Sequence, residues 1–219
     1  MSYFRELPDL EYQSFLSNSN SSQNYLKVKN LFRRCKIRDD LQSIFTVFNK
    51  YEIKEGARPD TVAEEIYGSS DLDWIVLMSA GIISVRNEWP LSNYELYKYA
   101  DNIYGTELNS TRFYETKEIK DSNGKVILGS GNIVDEDFSI RYYDNGEFIT
   151  KTGTNVKTGI SNLTYETRIN NSKRTIYILK VEYLQQFLND MRKEMRYSSS
   201  SQYVSENLAR TENTRITLP

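Results

Sequence analysis

Asp135-Glu136-Asp137 is the densest run of carboxylates in the sequence, and it stands just before the strand-like run FSIRYY. Clustered acids can hold a cation or, as a facing pair, hydrolyse a glycosidic bond. A calcium loop, however, alternates its ligands and turns on a glycine, and this run does neither. A two-acid glycosidase has only scattered Asp and Glu in its support. The run reads as a solvated loop. The sequence has no histidine and a single cysteine, Cys35. Without imidazole there are no serine triads, Cys-His pairs, histidine-ligated zinc sites or ordinary histidine acid-base catalysis. One cysteine leaves no internal disulfide and no metal cage on CxxC spacing. No P-loop, GxGxxG, GxSxG or HExxH occurs. The expectation is a chain that is not an enzyme and holds neither metal nor cofactor.

A net charge of −2 over 219 residues gives no electrostatic case for nucleic acid or an anionic membrane. The longest apolar stretch, Trp74 to Val85, is broken by Ser79, Gly81 and Ser84 and is too short to span a bilayer. The start, MSYFRELPDLEYQSF, lacks a charged segment followed by an apolar block, so a soluble product made in a cytosol is expected. Tyrosine is abundant, at 17 residues, and it brings large contact area with a polar tip at low entropic cost. Such a chain leans toward contact surfaces.

The elements that would present those surfaces are legible in part. Residues 1–24 join an aromatic, proline-containing segment to the polar tract SNSNSSQN and read as a flexible arm. Tyr3, Phe4, Leu7 and Pro8 either order against a partner or dock on their own domain. From Asn24 to Arg38, Val28, Leu31, Phe32 and Cys35 make one helical stripe. The other faces are basic, with Arg33, Arg34 and Arg38 among them, and face phosphate, protein or solvent. Residues 41–53 suit a helix through Leu41, Ile44, Phe45 and Phe48, or a strand through Phe45, Val47, Tyr51 and Ile53.

Thr61-Val62-Ala63-Glu64 predicts a capping box opening a short helix that ends at Gly68, and Ser70 starts a second that ends at Gly81. Neither is long enough to persist without packing, which makes Trp74 a core residue. Ser92-x-x-Glu95 caps a third helix that stops at Gly105. Residues 111–180 alternate like strands, with Asn123-Gly124 and Asn145-Gly146 as hairpin turns and LTYETRI and RTIYILK as two further strands. Leu184, Phe187, Leu188, Met191 and Met195 stripe a helix from about Glu182 to Tyr197, as core or as a docking groove. The serine-rich tail ends in TRITLP, where Ile216 and Leu218 could add a strand to a neighbour's sheet.

Val62-Ala63-Glu64-Glu65-Ile66-Tyr67-Gly68 followed by Leu72-x-Trp74-Ile75-Val76 resembles the lysin-motif fold, as found in contractile-tail proteins. That fold runs β-α-α-β, and the resemblance implies a strand from about Phe45, ahead of Asp60. Ala80 and Ala57-Arg58-Pro59-Asp60 depart from its pattern in the loops where sugar-binding members hold glycan. A wider resemblance rests on Arg58-Pro59, Ile66-Tyr67-Gly68, Trp74, Leu77-Met78, Ile176 to Lys180 and Phe187 to Asp190. These are similar to the small baseplate wedge subunit of T-even-type contractile-tailed phages. YFRELP and RDDLQ are similar to its cyanobacterial-phage branch.

The resemblance implies a structural part of the virion tail baseplate, assembled in the host cytoplasm. It would clamp wedge subunits together and promote assembly of wedges around the tail hub. Its partners would be other wedge and hub-proximal tail proteins, with no nucleic acid and no membrane. Pro59, Tyr67 and Trp89 would then join the candidate partner-binding residues, with Tyr67 and Trp89 as core or interface anchors. The alternative is a peptidoglycan-binding lysin-motif module of a cell-wall-targeting protein.

The expected fold class is α+β: a lysin-motif-like β-α-α-β unit with extra helices, an antiparallel β-rich insertion and a C-terminal helix, flanked by extended arms. The expected divisions are a 1–24 arm, a 25–107 helical domain with the lysin-motif-like unit at about 45–90, a 108–180 β-rich segment, a 181–197 helix and a 198–219 tail.

Overall fold

The structure, a computed structural model, describes residues 2–13, 25–37 and 46–211. The chain divides into two compact units, Met1–Trp89 with Thr175–Pro219, and Pro90–Arg174. The first opens with one helical turn, α1 (Tyr3–Glu6), then strands β1 (Asp9–Gln13), β2 (Tyr25–Lys29) and β3 (Phe48–Glu52). Helix α2 (Pro59–Tyr67) follows, then a 3-10 turn (Ser70–Leu72), α3 (Asp73–Ser79) and the single-turn α4 (Val85–Glu88).

The second unit begins with α5 (Asn93–Tyr104) and strands β4 (Thr111–Thr116), β5 (Ile119–Lys120), β6 (Val126–Leu128) and β7 (Ile133–Val134). It continues with β8 (Ser139–Asp144), β9 (Glu147–Thr152), β10 (Lys157–Ser161) and α6 (Asn162–Ser172). The chain returns to the first unit as β11 (Thr175–Leu179), α7 (Val181–Met195), β12 (Tyr203–Ser205) and β13 (Leu208–Arg210). The class is α+β.

In the first unit, β3 and β11 pair antiparallel, with Phe48 opposite Leu179 and Glu52 opposite Thr175. The order β-α-α-β is therefore present, but its last strand comes from residues 175–179 and not from within 45–90. Val62 and Ala63 of α2, and Trp74, Ile75 and Val76 of α3, are buried against Phe48, Ile53, Ile176 and Ile178. Helix α2 starts at Pro59, whose fixed φ and missing N–H suit a first helical position. The Thr61 capping box does not form, because the helix has already begun and Asp60 Oδ1 accepts the Thr61 N–H at 3.0 Å. Gly68 ends it in the left-handed region, φ 70°, donating its N–H to the Glu64 carbonyl. Leu188, Met191 and Met195 of α7 complete this core.

In the second unit the Ser92 capping box is formed, with Ser92 Oγ accepting the Glu95 N–H at 3.3 Å and the Glu95 carboxylate accepting the Ser92 N–H at 3.3 Å. Asn145 (φ 48°) and Gly146 (φ 90°) join β8 to β9 with both central residues at positive φ, as a tight hairpin needs. The turn at Asn123-Gly124 joins β5 to β6. Strand β4 lies between β10 and β7. Ile119, Tyr142 and Val156 form a separate small core.

Asn170, 3% exposed, donates to the Leu91 carbonyl at 2.9 Å and accepts the Leu91 N–H at 2.7 Å. Asn170→Ala strips the partners from both backbone groups of Leu91 and should cost about 1–3 kcal/mol in urea unfolding followed by circular dichroism.

Two segments differ from the sequence reading. Residues 25–37 are not a helix: Tyr25–Lys29 is a strand, and Asn30 ends it. The stripe of Val28, Leu31, Phe32 and Cys35 coexists with a period-two pattern in YLKVK, and pairing with β1 selects the latter because Lys27 and Lys29 then share the Asp9 carboxylate, at 3.1 and 2.8 Å. LTYETRI is helical in α6, not a strand. Its β-branched and aromatic content suits either state, but Ser161 caps the segment by accepting the Thr164 N–H at 3.2 Å, and α5 packs against it.

The described parts of the terminal segments, residues 2–13 and 198–211, also differ from free arms, while the polar tract SNSNSSQN and the TRITLP end lie outside the described residues. Strand β13 runs parallel to β1, giving a sheet in the order β12-β13-β1-β2 that ties residues 9–13 to residues 203–210.

Candidate protein-contact surface

The twelve residues expected at partner contacts scatter in the structure. Leu7, Pro8 and Trp89 are buried within the first unit, Leu7 to 2% exposure, and act as core. The Trp89 indole N–H donates to the Ala57 carbonyl at 2.8 Å, which anchors the loop ahead of α2. Tyr3 is half-buried with its ring 5.4 Å from that of Trp74, and Trp74 also meets Phe187 at 6.1 Å. Tyr67 is half-buried and donates its hydroxyl to the Leu179 carbonyl at 2.8 Å. Burial raises its pKa, so the phenol stays protonated and holds α2 to β11. Pro59 is half-buried at the start of α2. Phe4 and Arg34 are exposed. Arg38, Ile216 and Leu218 lie outside the described residues.

Arg33 has a structural task. Its guanidinium donates to the carbonyls of Glu194, Met195 and Arg196 at 3.3, 3.0 and 2.7 Å, closing the C-terminal end of α7, and it lies 4.8 Å from the centre of the Tyr197 ring. Cys35 sits half-buried with its sulfur 4.0 Å from that of Met78, and burial raises its thiol pKa, away from reactive thiolate.

The N-terminal segment is held by charge as well as by Leu7. The Arg192 guanidinium donates to both Glu6 oxygens, at 2.6 and 3.0 Å, and Glu6 is largely buried. The hydrogen bond from Arg192 holds the Glu6 carboxyl below its ordinary value of 4.5. At Asp9, burial pushes the pKa up, but hydrogen bonds from Lys29 and Lys27 outweigh it and the net shift is down.

Groups with depressed folded-state pKa values contribute stability that is present above the unfolded value and lost as pH falls through the folded value. Urea stability should therefore hold steady near neutrality and drop below about pH 4.5. Glu6→Gln should lower stability at neutral pH by about 1–2 kcal/mol and make the acid-side loss shallower.

A surface absent from the sequence reading lies between β2 and Arg33. Phe32 is 92% exposed and Leu31 is 65% exposed, so the intended helix stripe is instead a projecting tip. Asn30 fixes it: its side-chain oxygen accepts the Phe32 N–H at 3.0 Å, and its amide nitrogen donates to the Tyr197 hydroxyl at 2.8 Å. With Asn30 buried on one side and Arg33 tied to α7 on the other, the tip is held in place before any partner arrives. The signal was Asn30 itself, a residue that closes turns by accepting an N–H two positions on. The second unit presents its own exposed aromatics, including Tyr94 and Tyr97 on α5, and Tyr143 with Phe148, whose rings are 5.2 Å apart on the β8–β9 hairpin.

Exposed apolar side chains on a fixed turn, among polar neighbours, suit protein contact, since aromatic and arginine residues dominate the energetics of interfaces. Among the described residues, no helix is long and apolar enough to cross a membrane. Comparison with curated proteins found no match. The family described as base plate wedge protein 53 matches residues 3–194, a span covering α1 through nearly all of α7 and therefore both units. A match of that extent means that the chain belongs to the base plate wedge protein 53 family of phage baseplate structural proteins.

Proposed function

We propose that the chain clamps wedge subunits of the baseplate to one another and promotes the joining of wedges around the tail hub, through protein contact alone and in the host cytoplasm. The observation that carries this reading is the Phe32 tip, an exposed aromatic on a turn whose backbone Asn30 fixes, flanked by Arg34. A turn whose backbone is fixed in this way loses little freedom on docking, which favours tight and specific association. Phe4 and Arg34, together with Arg38, Ile216 and Leu218 outside the described residues, remain candidate partner contacts. The β-α-α-β unit acts here as a lysin-motif-like module turned to protein contact. Its element order and its antiparallel β3–β11 pair support that assignment.

The test is co-expression with the other baseplate proteins of the same phage, followed by size-exclusion chromatography and cryo-microscopy of the complex. Co-elution as a stoichiometric assembly is expected, with an interface larger than the roughly 1,600 Å² of a standard pair. Elution of the chain alone at micromolar concentration of all components would overturn the reading. So would strong retention of the isolated chain on peptidoglycan, the outcome expected of a glycan-binding module.

A further inference from the structure

We propose that the outer edge of β2 receives, as an added strand, an extended segment of another baseplate protein that alternates acidic and apolar residues. The sheet order places β2 at an edge, and among the described residues no strand lies beyond it. Its polarity follows from one bond. The Asn30 N–H donates to the Pro8 carbonyl at 2.9 Å, so in the antiparallel register 8 and 30, 10 and 28, and 12 and 26 are the hydrogen-bonded pairs. Leu26 and Val28 spend their backbone groups on β1. Lys27 and Lys29 turn theirs outward. Such an edge is a template for a further strand unless something blunts it.

The side chains specify what that strand carries. One face bears a charge row that alternates in sign across the sheet: Arg210 on β13 contacts Glu11 on β1 at 2.9 Å, and Glu11 lies opposite Lys27 on β2. In the neighbouring row Asp9 on β1 lies opposite Lys29 on β2. The lone Asp9 carboxylate serves both lysines, which leaves β2 with surplus positive charge along its free edge. The next strand in the alternation is negative. On the other face Leu26 and Val28 are exposed on this edge, and apolar residues on the added strand would cover them. Backbone pairing with side-chain selection on alternate positions is a recurring mode of peptide recognition.

This inference rests on the assembly reading, and its test separates the two. The probe is a capped nine-residue peptide alternating Val and Glu, with a Val-Lys peptide as control, added to the full chain. The Val-Glu peptide should bind, more weakly as salt rises, and should slow amide exchange at Lys27 and Lys29 while leaving Leu26 and Val28 as they were. Lys27→Pro removes an outward N–H but no bond to β1, as proline is tolerated on sheet edges. It should weaken the Val-Glu peptide at least tenfold. Lys27→Glu, which keeps the backbone intact, should shift preference toward the Val-Lys peptide.

Equal binding of both peptides, binding unchanged by both substitutions, or no change in exchange at Lys27 and Lys29 would overturn the edge proposal. If the wild-type chain still co-elutes with its baseplate neighbours in that case, the assembly reading stands without it.

Discussion

Phe32→Ala is expected to leave the free chain as stable as the wild type and to weaken its hold on neighbouring baseplate proteins by about 30- to 1,000-fold, the range of an interface anchor worth 2–4 kcal/mol. The two halves of the expectation have separate causes. At 92% exposure Phe32 contributes almost nothing to the core, so its loss opens no cavity. Its position is nevertheless paid for by other residues: Asn30 is buried beneath it and bonded to both Phe32 and Tyr197. Urea midpoints of the isolated variant check the first half, and co-elution across a dilution series of the reconstituted complex checks the second. Phe32→Tyr should retain most of the binding, because the ring stays where the turn holds it. Full assembly by Phe32→Ala would show that the tip is not part of the clamp.

Trp74→Ala should have the opposite signature, a loss of about 3–5 kcal/mol in stability of the first unit. Trp74 is nearly buried, and its ring meets Tyr3 from the N-terminal turn and Phe187 from α7, so one side chain joins three segments distant in sequence. Removing it leaves a large cavity and takes away the support for α1. Amide exchange in residues 3–13 should therefore rise along with the fall in the urea midpoint. A Trp74→Phe variant should recover a large part of the loss. A midpoint within about 1 kcal/mol of wild type for the alanine variant would mean that the site can collapse around the missing ring.

The comparison of Phe32 with Trp74 shows what the sequence made legible. Trp74 sits on a helix too short to survive alone, so burial follows from length and periodicity, and the structure agrees. The Ser92–Glu95 capping box, the Gly68 helix stop, the two Asn-Gly hairpins and the α7 stripe are local signals, and each is realised.

Phe32 failed because a four-residue apolar spacing fits a helix and the deciding partner, Asp9 on β1, is remote in sequence. LTYETRI failed for the same kind of reason, since helix packing against α5 overrode a strand-like composition. The candidate contacts were the least legible part. Residue type marks an anchor but not its side of the surface: Leu7 and Pro8 take the alternative of docking on their own unit, and Trp89 that of a core residue.

The separation of β3 from β11 sets a timetable for the ribosome. Residues 48–52 and both short helices are made well before residues 175–179 leave the exit tunnel, and at about 5–20 residues per second the wait is on the order of ten seconds. In that interval α5 and the local β5–β6 and β8–β9 hairpins of the second unit are made and can form first. A nascent chain that stalls or is cleaved before Leu179 leaves β3 unpaired and Tyr67 without its acceptor. Only products translated past that point can close the first unit.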